Sequence, residues 1–318
     1  MMRLAAHWRT IAPTVRHLVR PRPEPEGARA WSGRVEDPER GTLPLEGRLH
    51  LVPGAREVLL VVHGLGGSHE SFYAVDAARA AAAAGVSSLR FSLRGAGERP
   101  SDIYHAGLTA DVHAALAHED LADFERVYVL GYSMGGNIAL RFAAEETDAR
   151  VRAVAAACAP VDLDACCRFI DHDAFWLYRR WILDGLKAQY GRVAARAEVP
   201  TSADEARRFR SFREWDGRTV APRFGFESAA DYYQRMSSAR LFGDLKRPAL
   251  LVQSRHDPIV SAAAVREHLD AAPEGLRVCW VDAAGHLGFP SDIDLGLGLE
   301  AHGGFEAQAL AWMRAHRD

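Results

Sequence analysis

The stretch Val127-Tyr-Val-Leu-Gly-Tyr-Ser-Met-Gly-Gly-Asn137 carries the strongest local signal in this chain. It begins as a short apolar run typical of a buried strand and continues into a helical pattern of apolar residues. Gly131 and Gly135 flank Ser133 in a G-x-S-x-G pattern at the turn between strand and helix. A serine on so tight a turn has a strained backbone, so small residues are needed two positions to either side. The pattern predicts an accessible, reactive hydroxyl at Ser133; the alternative is a glycine-rich turn that serves packing alone.

Short runs rich in Val and Leu alternate with helical patterns on both sides of this stretch. Strands are predicted over Val58–Val62, Ser88–Phe91, Val127–Leu130, Val151–Ala157, Ala249–Gln253 and Leu276–Val281. Helices are predicted over Tyr73–Ala84, Leu108–His118, Asn137–Glu146 and Ala262–Ala271. The strands are apolar on both faces, as in a parallel sheet that helices cover on both sides. This order predicts an α/β fold with a mostly parallel, doubly wound sheet.

Residues 160–245 break the alternation, because they contain no clear strand and are crowded with aromatic residues and arginine. We predict that they form a mostly helical cap inserted over one end of the sheet. The chain then divides into an N-terminal helix and connector packed on the core (1–30), the first part of the core (31–159), the cap (160–245) and the second part of the core (246–318).

The N-terminal residues Leu4, Trp8, Ile11, Val15 and Leu18 recur at helical spacing, with arginines off the apolar stripe. A secretory signal needs an unbroken apolar segment, and His7, Arg9 and Arg16 interrupt every candidate for one. We therefore do not expect a signal peptide. Because Pro13 interrupts the helical pattern, we expect a short helix docked on the domain. A membrane-surface helix or an organelle presequence is the alternative.

Composition excludes several functional classes. The chain has 318 residues, with 39 basic and 42 acidic residues and a net charge of −3. The protein therefore lacks the strong positive electrostatic potential that favours nucleic-acid binding. No apolar run is long enough to span a membrane. The four cysteines include no C-x-x-C pair and do not suggest a disulfide framework. Reduced thiols favour a cytoplasmic location, and the sequence does not indicate an oligomeric state.

A serine hydroxyl becomes a nucleophile only beside a base, and the base needs an acid that orients it. In a strand-turn-helix site these residues follow in the order serine, acid, histidine. Asp257 follows the strand predicted at 249–253, and His286 follows the strand predicted at 276–281. We therefore predict a Ser133, Asp257 and His286 triad. Gly285 is expected to leave room for the histidine ring to turn toward Ser133.

Other acidic residues and histidines are candidates for the same roles. Asp162 follows the strand ending at residue 157 and is the alternative acid. Asp282 precedes the histidine too closely to orient it. His256 lies too close to Asp257 in sequence to be oriented by it across a site.

Two backbone N–H groups should bind the negative charge that develops when the serine attacks a carbonyl. One is predicted at Met134, the residue after the nucleophile. The other is predicted at Leu65, within the glycine-rich segment Val61-Val-His-Gly-Leu-Gly-Gly-Ser68. The alternative for His63-Gly64 is a plain turn at the end of a strand.

With these residues in place, the chain resembles the α/β-hydrolase superfamily and, within it, the YheT-like branch (AB-hydrolase-4). The resemblance rests on the triad and on the strings His7-Trp-Arg-Thr-Ile-Ala-Pro-Thr14, Arg90-Phe-Ser-Leu-Arg-Gly95, Asp102-Ile-Tyr-His-Ala-Gly-Leu108, Thr219-Val-Ala-Pro222, Gly225-Phe226, Asp231-Tyr-Tyr233 and Gly285-His-Leu-Gly-Phe289. Arg9 and Ser92 depart from the branch's usual glutamine and asparagine. The resemblance covers residues 7–315 and makes the N-terminal helix part of the domain.

The resemblance implies a serine carboxylic-ester hydrolase that forms an acyl-enzyme and needs no metal or cofactor. We expect a small-molecule acyl ester of short to medium chain length as substrate, because the cap is rich in aromatic residues. Lipase, thioesterase, acyltransferase and peptidase activities use the same triad and stay open, as does a haloperoxidase side activity. A different class of function is a catalytically inactive hydrolase scaffold that acts as a binding protein.

Overall fold

The computed structural model describes residues 2–145, 148–269, 273–299 and 303–316. Eight strands in these residues form one sheet: β1 (Arg29–Asp37), β2 (Gly41–His50), β3 (Glu57–Val62), β4 (Ser87–Ser92), β5 (Arg126–Tyr132), β6 (Val151–Ala157), β7 (Ala249–Ser254) and β8 (Leu276–Val281). Their order is β1-β2-β4-β3-β5-β6-β7-β8. Only β2 runs antiparallel to its neighbours, and β3 to β8 pair in parallel. The predicted fold class and all six predicted strands are confirmed.

The first two strands were not predicted. β1 and β2 form an antiparallel hairpin in which buried and exposed residues alternate, and β1 begins at Arg29, two residues before the boundary that we predicted for the core. Trp31 and Val35 point inward from β1, and the exposed Ser32 and Arg34 lie between them. This two-residue alternation is the usual signal of a half-buried antiparallel strand, and it was readable from the sequence.

Helices cover both faces of the sheet. They are α1 (Met2–Val19), α2 (Phe72–Ala83), α3 (Ala110–Leu116), α4 (Met134–Ala144), α5 (Leu163–Arg168), α6 (Trp176–Ala194), α7 (Ala203–Ala206), α8 (Phe212–Arg218), α9 (Val220–Arg223), α10 (Ala229–Met236), α11 (Ala262–Arg266) and α12 (Gly304–Arg314). Alternate residues of β3 enter two cores: Leu60 packs with α3 and α4, and Leu59 packs with α2 and α12. The strands are apolar on both faces for this reason.

The predicted helices are present; two of them are shorter than expected, and a third is shifted toward the N-terminus. The helix predicted at 108–118 covers only Ala110–Leu116, and the one predicted at 262–271 ends at Arg266. The helix predicted to end at Glu146 ends at Ala144. Residues 146, 270 and 271 of these predictions lie outside the described residues.

The N-terminal helix differs from the prediction in two ways. α1 runs through Pro13 without a break, so the expected interruption is wrong. Pro13 has no N–H for the carbonyl of Arg9, and that carbonyl lies against Gly288, whose missing side chain leaves space for it. The helix docks through Ala6 and Thr10, while the apolar stripe of Leu4, Trp8, Ile11, Val15 and Leu18 is exposed.

Residues 160–245 contain α5 to α10, and we call this segment the helical insertion. Its aromatic residues build a shared core with the sheet, including Tyr190, Trp215 and Tyr232. Within the described residues, no helix combines the length and apolar character needed to cross a membrane.

A buried ionic network joins the helical insertion to the sheet. Arg94, after β4, donates to Asp111 of α3 at 2.7 Å and to Asp37 of β1 at 2.6 Å. Arg223 of α9 donates to the other oxygen of Asp37 at 3.0 Å and to Asp102 at 2.9 Å. These five side chains are almost fully buried, so each charge depends on its partners for solvation.

We expect Arg223→Met to lower the free energy of unfolding by about 3–5 kcal/mol, because it leaves Asp102 as a buried charge without its cation. Urea-induced unfolding followed by circular dichroism measures the change. Arg207→Met is the matched control, since Arg207 pairs with Asp204 at the exposed surface of the same insertion. We expect less than about 1 kcal/mol there. Equal losses in the two variants would contradict a stabilising role for the buried network.

Candidate active site

Ser133 lies at the turn between β5 and α4 in a strained conformation. Its φ of 51° and ψ of −120° place it where a residue with a side chain is rarely found. A Cβ at Gly131 would overlap the backbone of Gly135, and one at Gly135 would overlap the carbonyls of Val62 and His63. The two glycines of the motif are therefore required by backbone-on-backbone contact, as the pattern predicted.

The structure brings the three predicted triad side chains together. His286 Nε2 lies 3.0 Å from Ser133 Oγ, and His286 Nδ1 lies 2.8 Å from Asp257 Oδ2. The second oxygen of Asp257 accepts hydrogen bonds from the N–H groups of Ile259 (2.8 Å) and Val260 (2.9 Å). The buried carboxylate is thus held in one orientation, with one oxygen directed at the imidazole. In this arrangement the imidazole can accept the proton of the serine hydroxyl.

The competing residues are engaged elsewhere. Asp162 caps the start of α5 by accepting from Ala165 N at 2.9 Å, and its other oxygen lies 2.9 Å from His268 Nε2. His256 faces the exposed Asp282 at 4.0 Å. Neither Asp162 nor His256 is bonded to His286 or Ser133 among the described residues.

The loop that carries His286 is held by α1, which sequence reasoning missed. His286 N donates to Thr10 Oγ1 at 2.8 Å, and that hydroxyl donates to the carbonyl of Ala6 at 2.8 Å. A Cβ at Gly285 would overlap the carbonyl of Ala6 and lie 2.6 Å from Thr10 N. The expectation that Gly285 frees the histidine ring is therefore wrong: it leaves room for the α1 backbone. The signal was present in the two strings at 7–14 and 285–289, which pack on each other.

His63 shapes the glycine-rich loop after β3. Its Nε2 accepts from Leu93 N at 3.1 Å, so Nδ1 carries the hydrogen that is donated to the carbonyl of Gly64 at 2.7 Å. Burial lowers the pKa of His63 to about 4, so the ring is neutral. His63 therefore acts as a hydrogen-bonded brace for the loop and not as a proton-transfer group.

The two N–H groups that we predicted as oxyanion donors, those of Leu65 and Met134, have no hydrogen-bond acceptor among the described residues. In the glycine-rich loop, the N–H groups of Gly64 and Gly66 donate to tyrosine hydroxyls at 3.0 and 2.9 Å. Leu65 and Met134 line the same cavity as Ser133. An ideal Cβ on Gly64 would lie 3.1 Å from Ser133 Cβ, so the loop passes directly beside Ser133.

Cys158 lies beside Asp257 and His286. Cys158 Sγ, a carboxylate oxygen of Asp257 and a ring nitrogen of His286 lie within 4.8 Å of one another, a set that could in principle hold a metal ion. Burial raises the pKa of the Cys158 thiol well above its usual value, so the thiolate that binds metals is disfavoured. Asp257 and His286 already satisfy each other. These residues suit a hydrogen-bonded pair better than a metal site.

A cavity of about 840 Å³ opens above Ser133, a volume in the range of small-molecule sites. The helical insertion supplies much of its apolar lining, including Ile182, Leu186, Phe212, Trp215 and Val220. Met134 and Leu65 lie in its lining together with the serine and the histidine. An apolar group bound in this cavity would extend away from Ser133 toward the insertion.

Asp216 places a carboxyl group among the apolar side chains that the helical insertion contributes to the lining. Asp216 of α8 accepts from Tyr233 Oη at 2.6 Å. Burial, together with the nearby charge of Asp171, raises the pKa of Asp216 to about 7. The polarity of the cavity therefore changes near neutral pH.

Comparisons with known proteins agree with this fold. A family model described as alpha/beta hydrolase fold matches residues 57–292. The chain is 29% identical over 244 residues to YheT of Escherichia coli (strain K12), a protein named as an esterase, covering 73% of this chain and 70% of YheT.

Two further relatives extend the comparison. The chain is 24% identical to the medium-chain fatty acid ethyl ester synthase/esterase 2 of Saccharomyces cerevisiae, over 73% of this chain but only 58% of the yeast protein, which is less than two thirds of its length. The structure of the Pyrococcus furiosus esterase Pf2001 matches with a TM-score of 0.53 at 17% identity, covering 81% of this chain and 85% of that one. This structural likeness shows the fold alone.

We expect Gly285→Ala to displace α1 from the His286 loop, since the new Cβ would meet backbone that has no room to move. The melting temperature should fall by several degrees. The kcat for a soluble nitrophenyl ester should fall about tenfold or more, because the histidine loses its position. Gly275→Ala is the matched control: its Cβ would lie 3.9 Å from its nearest neighbour. Normal activity in Gly285→Ala would refute a role for α1 in placing His286.

Proposed function

The chain belongs to the α/β-hydrolase fold family and is a hydrolase of the esterase type, and from this premise we propose that it cleaves carboxylic esters of short- to medium-chain acyl groups through a Ser133, His286 and Asp257 triad. The observation that carries the proposal is the continuous hydrogen-bonded line from Ser133 Oγ through His286 to Asp257, with separations of 3.0 and 2.8 Å. A line of this kind activates a hydroxyl that is otherwise a weak nucleophile.

In the first half of the reaction, His286 Nε2 takes the proton of Ser133 as Oγ attacks the ester carbonyl carbon. The carbonyl oxygen becomes an oxyanion, and the N–H groups of Leu65 and Met134 donate to it. Asp257 stabilises the imidazolium and keeps its Nδ1 hydrogen directed away from the serine. The tetrahedral intermediate then expels the alcohol, which takes the proton from His286, and an acyl group remains on Ser133.

In the second half, water replaces the alcohol. His286 removes a proton from the water as its oxygen attacks the acyl-enzyme, and the same two N–H groups hold the second oxyanion. Collapse of this intermediate returns the proton to Ser133 Oγ and releases the carboxylic acid. Every step uses groups of this chain and of the substrate.

The proposed substrate class rests on the cavity. Its lining by Ile182, Leu186 and Phe212 favours an acyl chain over a charged or sugar-like group. We also propose that the helical insertion acts as the cap of the active site, since it supplies these side chains and is tied to the sheet through Arg223. Replacing its lining should therefore change chain-length preference more than reactivity.

Acyl transfer to an alcohol is the second candidate. It is favoured by the name of the yeast relative, which describes both synthesis and hydrolysis of ethyl esters. The two reactions share the acyl-enzyme and differ only in whether water or an alcohol attacks it. The ratio of ethyl ester to free acid formed from a nitrophenyl ester in the presence of ethanol distinguishes them.

We expect the native chain to hydrolyse nitrophenyl esters between acetate and palmitate, with a maximum at short to medium chain length. Ser133→Ala should lower kcat by about 10⁴-fold, because the nucleophile is lost. A fluorophosphonate probe should label the native chain and not the variant. A folded native chain that neither reacts with the probe nor hydrolyses any ester would favour the inactive binding protein instead.

The acid is tested by a matched pair of substitutions. Asp257→Asn should reduce kcat by about 10⁴-fold, since the histidine would lose the partner that orients its tautomer. Asp162→Asn should leave kcat close to the native value, since Asp162 bonds to α5 and His268. If Asp162→Asn is the more damaging change, the assignment of Asp257 is wrong.

We expect pH to affect apolar substrates through Asp216. The KM for a medium-chain ester should rise about threefold to tenfold as the pH rises through about 7, because the carboxylate formed there makes the apolar cavity unfavourable for the chain. Asp216→Asn keeps an acceptor for Tyr233 and should give a pH-independent KM.

Stability provides a second readout of the same ionisation. Since the folded-state pKa of Asp216 lies above its ordinary value, the native protein binds more protons there than the unfolded chain, and stability is lost as pH rises toward and through 7. Asp216→Asn should lose less stability over this range. If the KM of the native protein does not change over this pH range, the proposed acyl site beside Asp216 is wrong.

A further inference from the structure

Exposed apolar side chains are concentrated in one region of the molecule. Apart from Leu51 and Leu299, every large apolar residue that is exposed in the described chain lies on α1 or at the start of α6. We call this set the apolar face; its members are Leu4, Trp8, Ile11, Val15, Leu18, Val19, Phe175, Trp176, Leu177 and Trp181. A folded protein rarely exposes so many large apolar groups together unless they bind something.

The two helices that carry the apolar face adjoin each other. His7 of α1 stacks on Tyr178 of α6, with ring centroids 5.5 Å apart, and its Nδ1 lies 2.7 Å from the tyrosine hydroxyl. His7 also meets the ring of Phe175 edge-on. The exposed residues of α1 and α6 therefore belong to one surface.

This surface meets the cavity above Ser133. Leu18 and Trp181 both line the cavity, yet they are 76% and 56% exposed to solvent. Residues that satisfy both conditions must lie where the cavity opens. Thr10 and Thr14 line the cavity two turns and one turn before Leu18 on the same helix. The apolar face therefore borders the entrance through which a substrate reaches Ser133.

The charges on α1 have one sign, whereas α6 carries both, in the exposed pair of Arg180 and Asp184. α1 contains no acidic residue. Arg16 and Arg20 are exposed beside the apolar stripe, and neither has a carboxylate within salt-bridge distance among the described residues. A helix with Trp, Leu, Ile and Val on one face and arginine on its flank is the pattern of helices that lie in the surface of a lipid layer. Tryptophan is itself favoured at that depth.

From these observations we propose that the apolar face docks on an anionic lipid surface, with α1 parallel to the layer and the cavity entrance directed at it. The exposed apolar residues would enter the boundary between headgroups and acyl chains, and the arginines would contact anionic headgroups. A lipid surface fits better than a small ligand because the face spans two helices and contains ten large exposed apolar side chains. Under the proposed function, an acyl ester could then pass from the layer to Ser133 without crossing water; that consequence rests on the proposed function, whereas docking does not.

Docking is tested by vesicle flotation with the full chain carrying Ser133→Ala, so that ester bonds in the vesicles stay intact. Vesicles of phosphatidylcholine with about 30% phosphatidylserine should bind the protein, and pure phosphatidylcholine should bind it several times less. Adding Trp8→Ser, Ile11→Ser and Val15→Ser should reduce binding about tenfold or more. Leu51→Ser with Leu299→Ser is the matched control, because it removes exposed apolar residues outside the face and should leave binding unchanged.

A charge variant tests the electrostatic part separately. Arg16→Gln with Arg20→Gln should reduce binding to the anionic vesicles toward the level of pure phosphatidylcholine. With Ser133 restored, the triple serine variant should hydrolyse a soluble nitrophenyl butyrate at the native rate and an ester embedded in anionic vesicles about tenfold more slowly. The native rate on the soluble ester also shows that this variant is folded.

Three results would overturn the proposal. One is the absence of vesicle binding by the parent protein, and another is equal binding by the triple serine variant and the Leu51/Leu299 control. The third is a parent protein that sediments as a dimer and does not bind vesicles, together with a triple serine variant that sediments as a monomer. A second copy of the chain would then cover the face. If the Ser133→Ala chain binds vesicles while the native chain hydrolyses no ester, docking stands and the proposed function fails.

Discussion

Direct contact between backbone segments, with no side chain between them, is the constraint on which this site depends. The Ser133 turn fits because Gly131 and Gly135 let β5, α4 and the end of β3 touch. The histidine loop fits under α1 because Gly285 has no Cβ. Contacts of this kind tolerate little adjustment, since backbone cannot change rotamer as a side chain can. They hold the serine and the imidazole at hydrogen-bonding distance even though the two residues belong to distant parts of the chain, and they make the strained φ of Ser133 sustainable.

The ionic network has a comparable role for the helical insertion. Arg94 and Arg223 share Asp37, so a strand at one edge of the sheet, the loop after β4 and α9 are joined through a single carboxylate. An apolar contact would also hold the insertion on the sheet, but it would permit sliding. The hydrogen bonds that planar guanidinium groups donate are directional, so they hold the helical insertion in one position relative to the sheet. The apolar cavity lies between the insertion and the sheet, so its shape depends on that position.

The sequence predicted what depends on local pattern and on sheet topology. Ser133, Asp257 and His286 could be chosen together because each follows a parallel strand, and the carboxyl ends of parallel strands share one edge of the sheet. The β1–β2 hairpin was not predicted because buried and exposed residues alternate in it, whereas the other strands are continuous apolar runs. The role of Gly285 could not be derived from its neighbours in sequence, because the group that requires a glycine there is the carbonyl of Ala6, which only the folded chain brings near. The exposure of the stripe on α1 was likewise decided by which face of the helix meets His286.

α1 is the element in which these separate features meet. Its Thr10 bonds to the backbone of His286, its Leu18 lies at the cavity entrance, and its Trp8 faces solvent. A helix could have buried its apolar stripe and exposed its small polar residues, which would have been favoured by the hydrophobic effect alone. The opposite orientation is chosen because Ala6 and Thr10 are small enough for backbone contact with the Gly285 loop, whereas Trp8 or Leu4 in their place would hold the two segments apart. Placement of His286 therefore determines that a row of large apolar side chains remains outside, beside the opening of the cavity above Ser133.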